Sequence, residues 1–198
     1  MSAAEIAPRH EHYDRLLRGM GLAVAAKGYA ETTIADIVRE AGVSRRSFYE
    51  HFATKSDCLL ALYKAGSRRA LSVLAEAVDP DQPWQTQVEP SLVAYLTYRS
   101  QAPALLQMLF VDIVGMGPEG LAARAEINRE IARWIQSATH EQGKLPISTE
   151  LAMTVIGGIN ELVLRSIQQG HSDDLRPLTA PLTQMVLAVA GYRRMSDT

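Results

Sequence analysis

An all-α fold is predicted by three features of the sequence. Apolar residues recur at i, i+3, i+4 and i+7 along most of the chain, the spacing of one helical face. Glycine and proline fall between those stretches as punctuation. Neither strand-like alternation nor an Asn-Gly hairpin signal is present. With 198 residues, the chain can bury a substantial core in one or two domains.

The elements follow in order. Leu16, Leu17, Met20 and Val24 define an amphipathic helix over roughly residues 10–27, closed by Gly28. Gly19 and Gly21 each cost about 1 kcal/mol against alanine in a helix, which predicts close packing there. Ile34, Ile37, Val38 and Ala41 share the next helical face. Thr33 is placed to cap it, with Asp36 as capping-box partner. Ala41-Gly42-Val43 breaks the helix, glycine tolerating the left-handed exit. Ser44 can cap the following helix, whose first turn holds Arg45, Arg46 and Ser47, while Phe48 and Phe52 anchor it. A longer helix is predicted from about 56 to 78, capped by Thr54, with Leu59, Leu62, Tyr63, Leu71 and Leu74 on one side. Cys58 beside Leu59 and Leu60 reads as a packing residue. Asp79-Pro80-Asp81-Gln82-Pro83 is a breaker, and further helices are expected at 86–101, 104–114, 118–142, 148–170 and 176–194.

Thr33 to Lys55 carries the most specific signal. Two short helices meet at Gly42, and the second opens with adjacent arginines, the form of a helix-turn-helix that places one helix in the major groove of DNA. Arginine can pair bidentately with guanine. Arg45 and Arg46 are therefore candidate base readers, with phosphate contact as the alternative. Glu50 can point away, pair with Arg46 at i+4 spacing, or read cytosine.

The segment resembles the DNA-binding domain of the TetR family of transcriptional regulators. The resemblance rests on Leu16-Leu17, Lys27-Gly28-Tyr29, Thr32-Thr33, Ala41-Gly42-Val43-Ser44, Phe48-Tyr49-Glu50-His51-Phe52 and Lys55, and covers roughly residues 13–64. The family often has a small residue or proline where Arg46 stands, alanine at Gly19, and Leu-Phe at Ala23-Val24. The resemblance implies DNA contacts by Thr33, Arg45, Arg46, Ser47, Tyr49, His51 and Lys55. Thr33 and Lys55 are then phosphate anchors, and Tyr49 and His51 contact phosphate in part. It also implies a DNA-binding domain over 1–55 and a helical ligand-binding and dimerisation domain over 56–198. In the family the last two helices commonly pair with those of a second subunit. Gly157, Gly158, Leu162, Leu178, Leu182, Met185, Val186 and Val189 are the candidate dimer residues, the same stripe being open to a core reading.

Composition narrows the classes. The net charge is -2, with 9 Lys/Arg against 8 Asp/Glu in residues 1–64 and 11 against 14 beyond. Bulk positive charge therefore does not hold nucleic acid, and a dimer that doubles a small basic surface is expected. One cysteine excludes an internal disulfide framework. No apolar run is long enough for a membrane span, and no signal-peptide pattern is seen, so a cytoplasmic location is expected. Phosphate loops, nucleophile elbows, Cys clusters and zinc-helix motifs are missing, so neither catalysis, a metal nor a cofactor is expected.

The implied partners are a double-stranded DNA operator, a second copy of the chain and a small-molecule effector. For the effector, Tyr95, Tyr98, Arg99, Met108, Phe110, Asp112, Met116, Trp134, Asn160, Glu161 and Arg165 are candidates. Each also has a core or solvated reading, Glu161 and Arg165 as a local ion pair. Aromatic residues make up only 6%, so an aliphatic or Met-lined cavity is expected. The expectation is a dimeric, ligand-released repressor. A ligand-independent DNA-binding or protein-interaction module and an all-α enzyme stay open as alternatives.

Overall fold

The computed structural model describes residues 3–79, 81–140 and 146–191, for residues 3–10 the backbone only. Every regular element among them is helical. In chain order these are α1 (Ala3–Glu31), α2 (Ile34–Ala41), α3 (Arg45–Tyr49), α4 (Lys55–Glu76), α5 (Trp84–Ser100), α6 (Pro103–Gln107), α7 (Ile113–Gly115), α8 (Pro118–Ala138), α9 (Thr149–Gln168) and α10 (Thr179–Gly191). A π turn, Met108–Asp112, joins α6 to α7, and a 3-10 turn, Arg176–Leu178, precedes α10. Residues 141–142 and 192–194, where two helices were expected to end, lie outside the described residues. None of the described helices is long and apolar enough to cross a membrane.

Two compact units divide the chain. One runs from the N-terminus to Gly66 and includes Gln107–Ala123; the other holds Ser67–Leu106 and the residues from Arg124 onward. Helix α4 runs unbroken through residues 55 and 56 and past 66.

In the N-terminal unit, α1 packs on α2. Leu16, Met20 and Ile37 are fully buried between them, with Phe48 supplied by α3. Gly19 explains the closeness: a Cβ there would lie 2.5 Å from the Ile37 carbonyl oxygen and 2.8 Å from the Ala41 nitrogen. Gly21 is different, since its nearest neighbour would be Leu62 Cδ2 at 3.8 Å, an ordinary contact. Close packing is therefore required at the first glycine only. Helix α1 loses helical geometry at Gly28, where φ is 78° and ψ 162°, and Thr32 Oγ1 donates to the Gly28 carbonyl at 2.7 Å. Cys58 is fully buried, and burial, with the Asp57 carboxylate adding to it, pushes its thiol up to about 12. It is an inert packing group, since the thiolate is the reactive species.

The helix expected over 104–114 is instead three short pieces. Met108 and Ile113, five residues apart, are both fully buried. An i→i+5 turn brings residues at that spacing to one side, which an uninterrupted α-helix does not.

In the C-terminal unit, α10 packs against α5 and α9. Gly158 permits the α9–α10 approach, because a Cβ there would overlap the Met185 sulfur. Arg68 ties α4 to α8 by donating to Glu126 at 3.0 Å and Glu130 at 2.7 Å. The Leu175 N–H donates to Ser100 Oγ at 3.0 Å, fixing the chain before α10 to the end of α5.

Gly19→Ala is expected to destabilise the protein by about 1–3 kcal/mol, because backbone atoms must separate to admit the methyl group. Gly21→Ala, which removes a helix-disfavouring glycine without a clash, is expected to gain up to about 1 kcal/mol. Thermal unfolding of the two variants should shift Tm in opposite directions. Similar shifts would remove the distinction between the two sites.

Candidate functional site

Two capped helices present the candidate reading surface. Thr33 caps α2: the Asp36 N–H donates to Thr33 Oγ1 at 3.2 Å, and the Thr33 N–H donates to Asp36 Oδ2 at 2.9 Å. The Thr33 hydroxyl proton also goes to Asp36 Oδ2, at 2.6 Å. Gly42, at φ 61° and ψ 40°, ends α2 in the left-handed conformation. Ser44 caps α3 by accepting from the Ser47 N–H at 3.0 Å. The turn is thus fixed on both sides of Gly42, and α3 projects from it.

Three basic side chains close this frame from a distance. Arg15 on α1 donates to the Ala41 carbonyl at 2.9 Å and the Gly42 carbonyl at 2.5 Å, capping the C-terminus of α2. Lys27 pairs with Asp36 at 2.5 Å. Lys55, the first residue of α4, donates to the carbonyls of Tyr29 at 3.0 Å, Ala30 at 3.3 Å and Thr32 at 2.8 Å, and sits 4.4 Å from the centre of the Tyr29 ring. Cations are favoured at such carbonyl-rich helix ends. The hydrogen bond from Lys27, together with those from Thr33, holds the Asp36 carboxyl well below the usual carboxylate range.

The sequence-predicted DNA residues separate into two sets against this frame. Arg45, Arg46 and Tyr49 are exposed. Arg45 makes no ion pair or hydrogen bond among the described residues. Arg46 pairs with Glu50, Nε to Oε1 at 3.2 Å, so one of the three alternatives for Glu50 is realised in the protein without DNA. Thr33, Ser47, His51 and Lys55 are committed locally. Both donors of Thr33 face Asp36, and the Ser47 hydroxyl lies 3.0 Å from Ser44 Oγ. The half-buried His51 ring stacks edge-on against Tyr13 at 5.9 Å. The Lys55 ammonium, expected to anchor phosphate, donates to three carbonyls. The roles of Arg15 and Lys27 were not visible in the sequence, because their partners lie 27 and 9 residues away, outside any helical spacing.

Residues 23–62 match the family model described as bacterial regulatory proteins, tetR family. That segment is similar to the DNA-binding part of the TetR family. The chain is 26% identical over 139 residues to the uncharacterized HTH-type transcriptional regulator YerO of Bacillus subtilis (strain 168). That match covers 69% of this chain and 44% of YerO, so the chain spans less than half the length of this relative. Among solved structures, the fatty acid degradation regulator FadR of Bacillus halodurans superposes with a TM-score of 0.71 at 18% identity, covering 92% of this chain and 96% of FadR. FadR of Bacillus subtilis, in complex with stearoyl-CoA, gives 0.66 at 18% identity, covering 91% and 100%. A TetR-family regulator from Rhodococcus sp. gives 0.74 at 18% identity, covering 91% and 99%. These solved structures share the all-α TetR-like fold with the chain.

The C-terminal unit contains an apolar cavity. Leu74 of α4, Trp84 and Leu92 of α5, Trp134 of α8, Val155 of α9 and Val186 of α10 contribute its walls, leaving about 90 Å³ open to a water-sized molecule. Aliphatic side chains predominate, as expected, but the aromatic share comes from two tryptophans, and no methionine lines it. Gln87, Ser91 and Thr139 are the polar lining residues. At its rim the cavity meets a more polar cleft reaching Gln82, Gln85, Ser137 and His140.

Of the eleven predicted effector residues, Trp134 alone lines this cavity. Tyr95 and Arg99 are buried side by side on α5, the guanidinium 5.2 Å from the ring centre. Tyr98 is half-buried on the same helix. Met108 is buried and Phe110 and Asp112 are half-buried in the π turn, with Met116 just after α7, all outside the C-terminal unit. Burial raises the Asp112 carboxyl above its ordinary range. Asn160 is half-buried, while Glu161 and Arg165 are exposed and form no ion pair with each other, which corrects the expected local bridge. The candidate dimer residues differ in burial. Leu182 and Val186 are buried inside a single chain, Val186 in the cavity wall. Gly158, Leu162, Leu178, Met185 and Val189 are half-buried, and Gly157 faces open space.

The Asp36 pairing sets a pH dependence. A carboxyl depressed on folding binds fewer protons than in the unfolded chain, so its stabilisation is present above the unfolded value near 3.9 and is lost as pH falls toward the folded value. Asp36→Asn should flatten the loss of Tm between about pH 4 and pH 2 relative to the parent. Parallel acid limbs would exclude the Lys27–Asp36 pair as a contributor.

Lys55→Met should lower stability by about 1.5–3 kcal/mol without any DNA present, the scale of hydrogen bonds made by a charged group. Urea unfolding measures it, and an unchanged midpoint would deny Lys55 a part in holding the fold.

Proposed function

We propose that the protein represses transcription by binding a palindromic operator as a homodimer and that a small molecule releases it. The observation that carries this reading is Arg45: an exposed arginine, unpaired among the described residues, on a helix whose entry is fixed by the Thr33, Gly42 and Ser44 caps. Arg45 reads bases, with Arg46 joining it once Glu50 is displaced or itself meets a cytosine. Tyr49 touches backbone phosphate. Thr33, Ser47, His51 and Lys55 orient the reader.

The dimer supplies what a single copy lacks, since one reading helix with two exposed arginines is a small basic surface. The face that suits a second copy is the outer side of α9 and α10, where Met153, Gly157, Glu161, Gln184 and Ala188 are exposed. Small residues there admit a close helix approach. The DNA-binding part is the helix-turn-helix of residues 1–55, and residues 56–198 bind ligand and partner. All of this takes place in the cytoplasm, where the DNA is. An effector belongs to the reading because the chain has an apolar cavity and because FadR of Bacillus subtilis holds stearoyl-CoA. A ligand that favours one arrangement of the paired readers over another shifts their spacing away from the half-sites.

Mapping the protein on genomic DNA, followed by footprinting, tests the reading. Two protected half-sites about one helical turn or a multiple apart are expected. Arg45→Ala should cost about 1–3 kcal/mol at those sites and relax their sequence preference. Gly157→Arg should yield monomers with weak operator binding. A protein that remains fully operator-competent as a monomer, or transcripts that fall when the gene is deleted, would overturn the dimeric repressor.

A further inference from the structure

We propose that the cavity of the C-terminal unit takes a compact, uncharged, largely apolar molecule with one hydrogen-bonding group, and that Ser91 recognises that group. The proposal rests on the reading of this cavity as the effector site and assigns the chemistry of its ligand.

The polar lining residues carry the argument. Thr139 donates its hydroxyl to the Ile135 carbonyl at 2.7 Å. The Gln87 amide donates to the carbonyls of Asp79 at 2.7 Å and Gln82 at 2.9 Å, and its oxygen accepts from the Asp79 N–H. Both are internally satisfied. Ser91 is 5% exposed, and its hydroxyl has no hydrogen-bond partner among the described residues. Thr179 and Thr183 on α10 also have unpartnered hydroxyls, but neither lines the cavity. A buried hydroxyl without a partner is unfavourable, and at Ser91 an incoming group can relieve it. A serine hydroxyl both donates and accepts, so a ligand hydroxyl or carbonyl satisfies it equally.

The remaining walls exclude a charge. No Asp, Glu, Lys or Arg lines the cavity or its polar rim among the described residues. An ionised carboxylate or phosphate entering it would lose water without gaining a counter-ion. Its open space, about 90 Å³, suits a molecule of roughly ten heavy atoms or fewer by comparison with the space one water occupies. The chemistry therefore differs from that of the stearoyl-CoA held by FadR of Bacillus subtilis.

The chain reports on its own occupancy. It has two tryptophans, Trp84 and Trp134, and both line the cavity. Full-length protein is titrated with 2-phenylethanol, ethylbenzene, phenylacetate and stearoyl-CoA, following tryptophan fluorescence and Tm. The two neutral probes are expected to perturb both, and phenylacetate and stearoyl-CoA to bind at least tenfold more weakly than 2-phenylethanol. Ser91→Ala should weaken 2-phenylethanol about 3–10-fold, the range for one neutral hydrogen bond, and leave ethylbenzene unchanged or tighter. Without ligand the same variant should raise Tm by about 2–4 °C, because an unsatisfied hydroxyl is gone. A hydroxyl serving the fold alone would lower Tm on removal.

Tightest binding by phenylacetate or stearoyl-CoA, equal responses of the neutral probes to Ser91→Ala, a fall in Tm, or no binding by any probe overturns the proposal. The two readings fail separately. A charged probe that binds and releases DNA sinks the ligand class and keeps the effector site. A neutral probe that binds through Ser91 and leaves DNA binding intact does the reverse.

Discussion

The Lys55 ammonium, held by the carbonyls of Tyr29, Ala30 and Thr32, is the constraint on which the reading surface depends. Its two sides are the end of α1 with Thr32 after it, and the first residue of α4. The helix-turn-helix is therefore a loop closed at its base by one side chain. Everything proposed to meet DNA lies inside that loop. A helix of five residues such as α3 has little stability of its own, so its direction must come from its ends. Ser44 fixes one end. The other is fixed by Phe52, buried beside Phe48 and Tyr13, and by the start of α4 that Lys55 ties down.

The same economy explains the modest charge of the N-terminal unit. Arg15 and Lys55 close helix ends, and Lys27 and Arg39 pair with Asp36, Arg39 at 3.1 Å. These four cations serve folding before they serve DNA. Exposed pairs of this kind contribute little singly, but Asp36 joins a capping box to two cations and is not an isolated surface contact. Counting basic residues therefore overstates the surface available to phosphate, and the proposed pairing of two copies follows from that shortage.

Much of the fold was legible because its signals are local. Thr33 with Asp36, Ser44 with Ser47, and Thr54 with Asp57 are caps spaced within one turn, and each forms as the spacing indicates. Gly19 was legible for a related reason: a costly glycine in a helix needs a neighbour, and α2 is that neighbour. What escaped the sequence is tertiary. Nothing near Lys55 announces carbonyls more than twenty residues upstream, and nothing near Arg15 announces the end of α2. The apolar stripe of α10 shows that a face is buried without showing against what. Leu182 and Val186 turned into their own chain for that reason. The cavity draws its walls from five helices far apart in sequence, so Trp134 could be named while Trp84 and Ser91 could not.

Polar satisfaction differs between the two units. In the helix-turn-helix, donors and acceptors at helix ends find partners to the point where Thr33 and Lys55 have no donor to spare. Such closure suits a rigid reader, whose recognition geometry must exist before DNA arrives. In the C-terminal unit, Gln87 and Thr139 are satisfied within the cavity wall and Ser91 is not. Residual unsatisfied groups in an otherwise completed network are the places where a protein gains most from a ligand, because the desolvation has already occurred in the free state. The cavity is thus prepared to hold a small neutral molecule, with one hydroxyl choosing among candidates that its aliphatic and tryptophan walls alone would not distinguish.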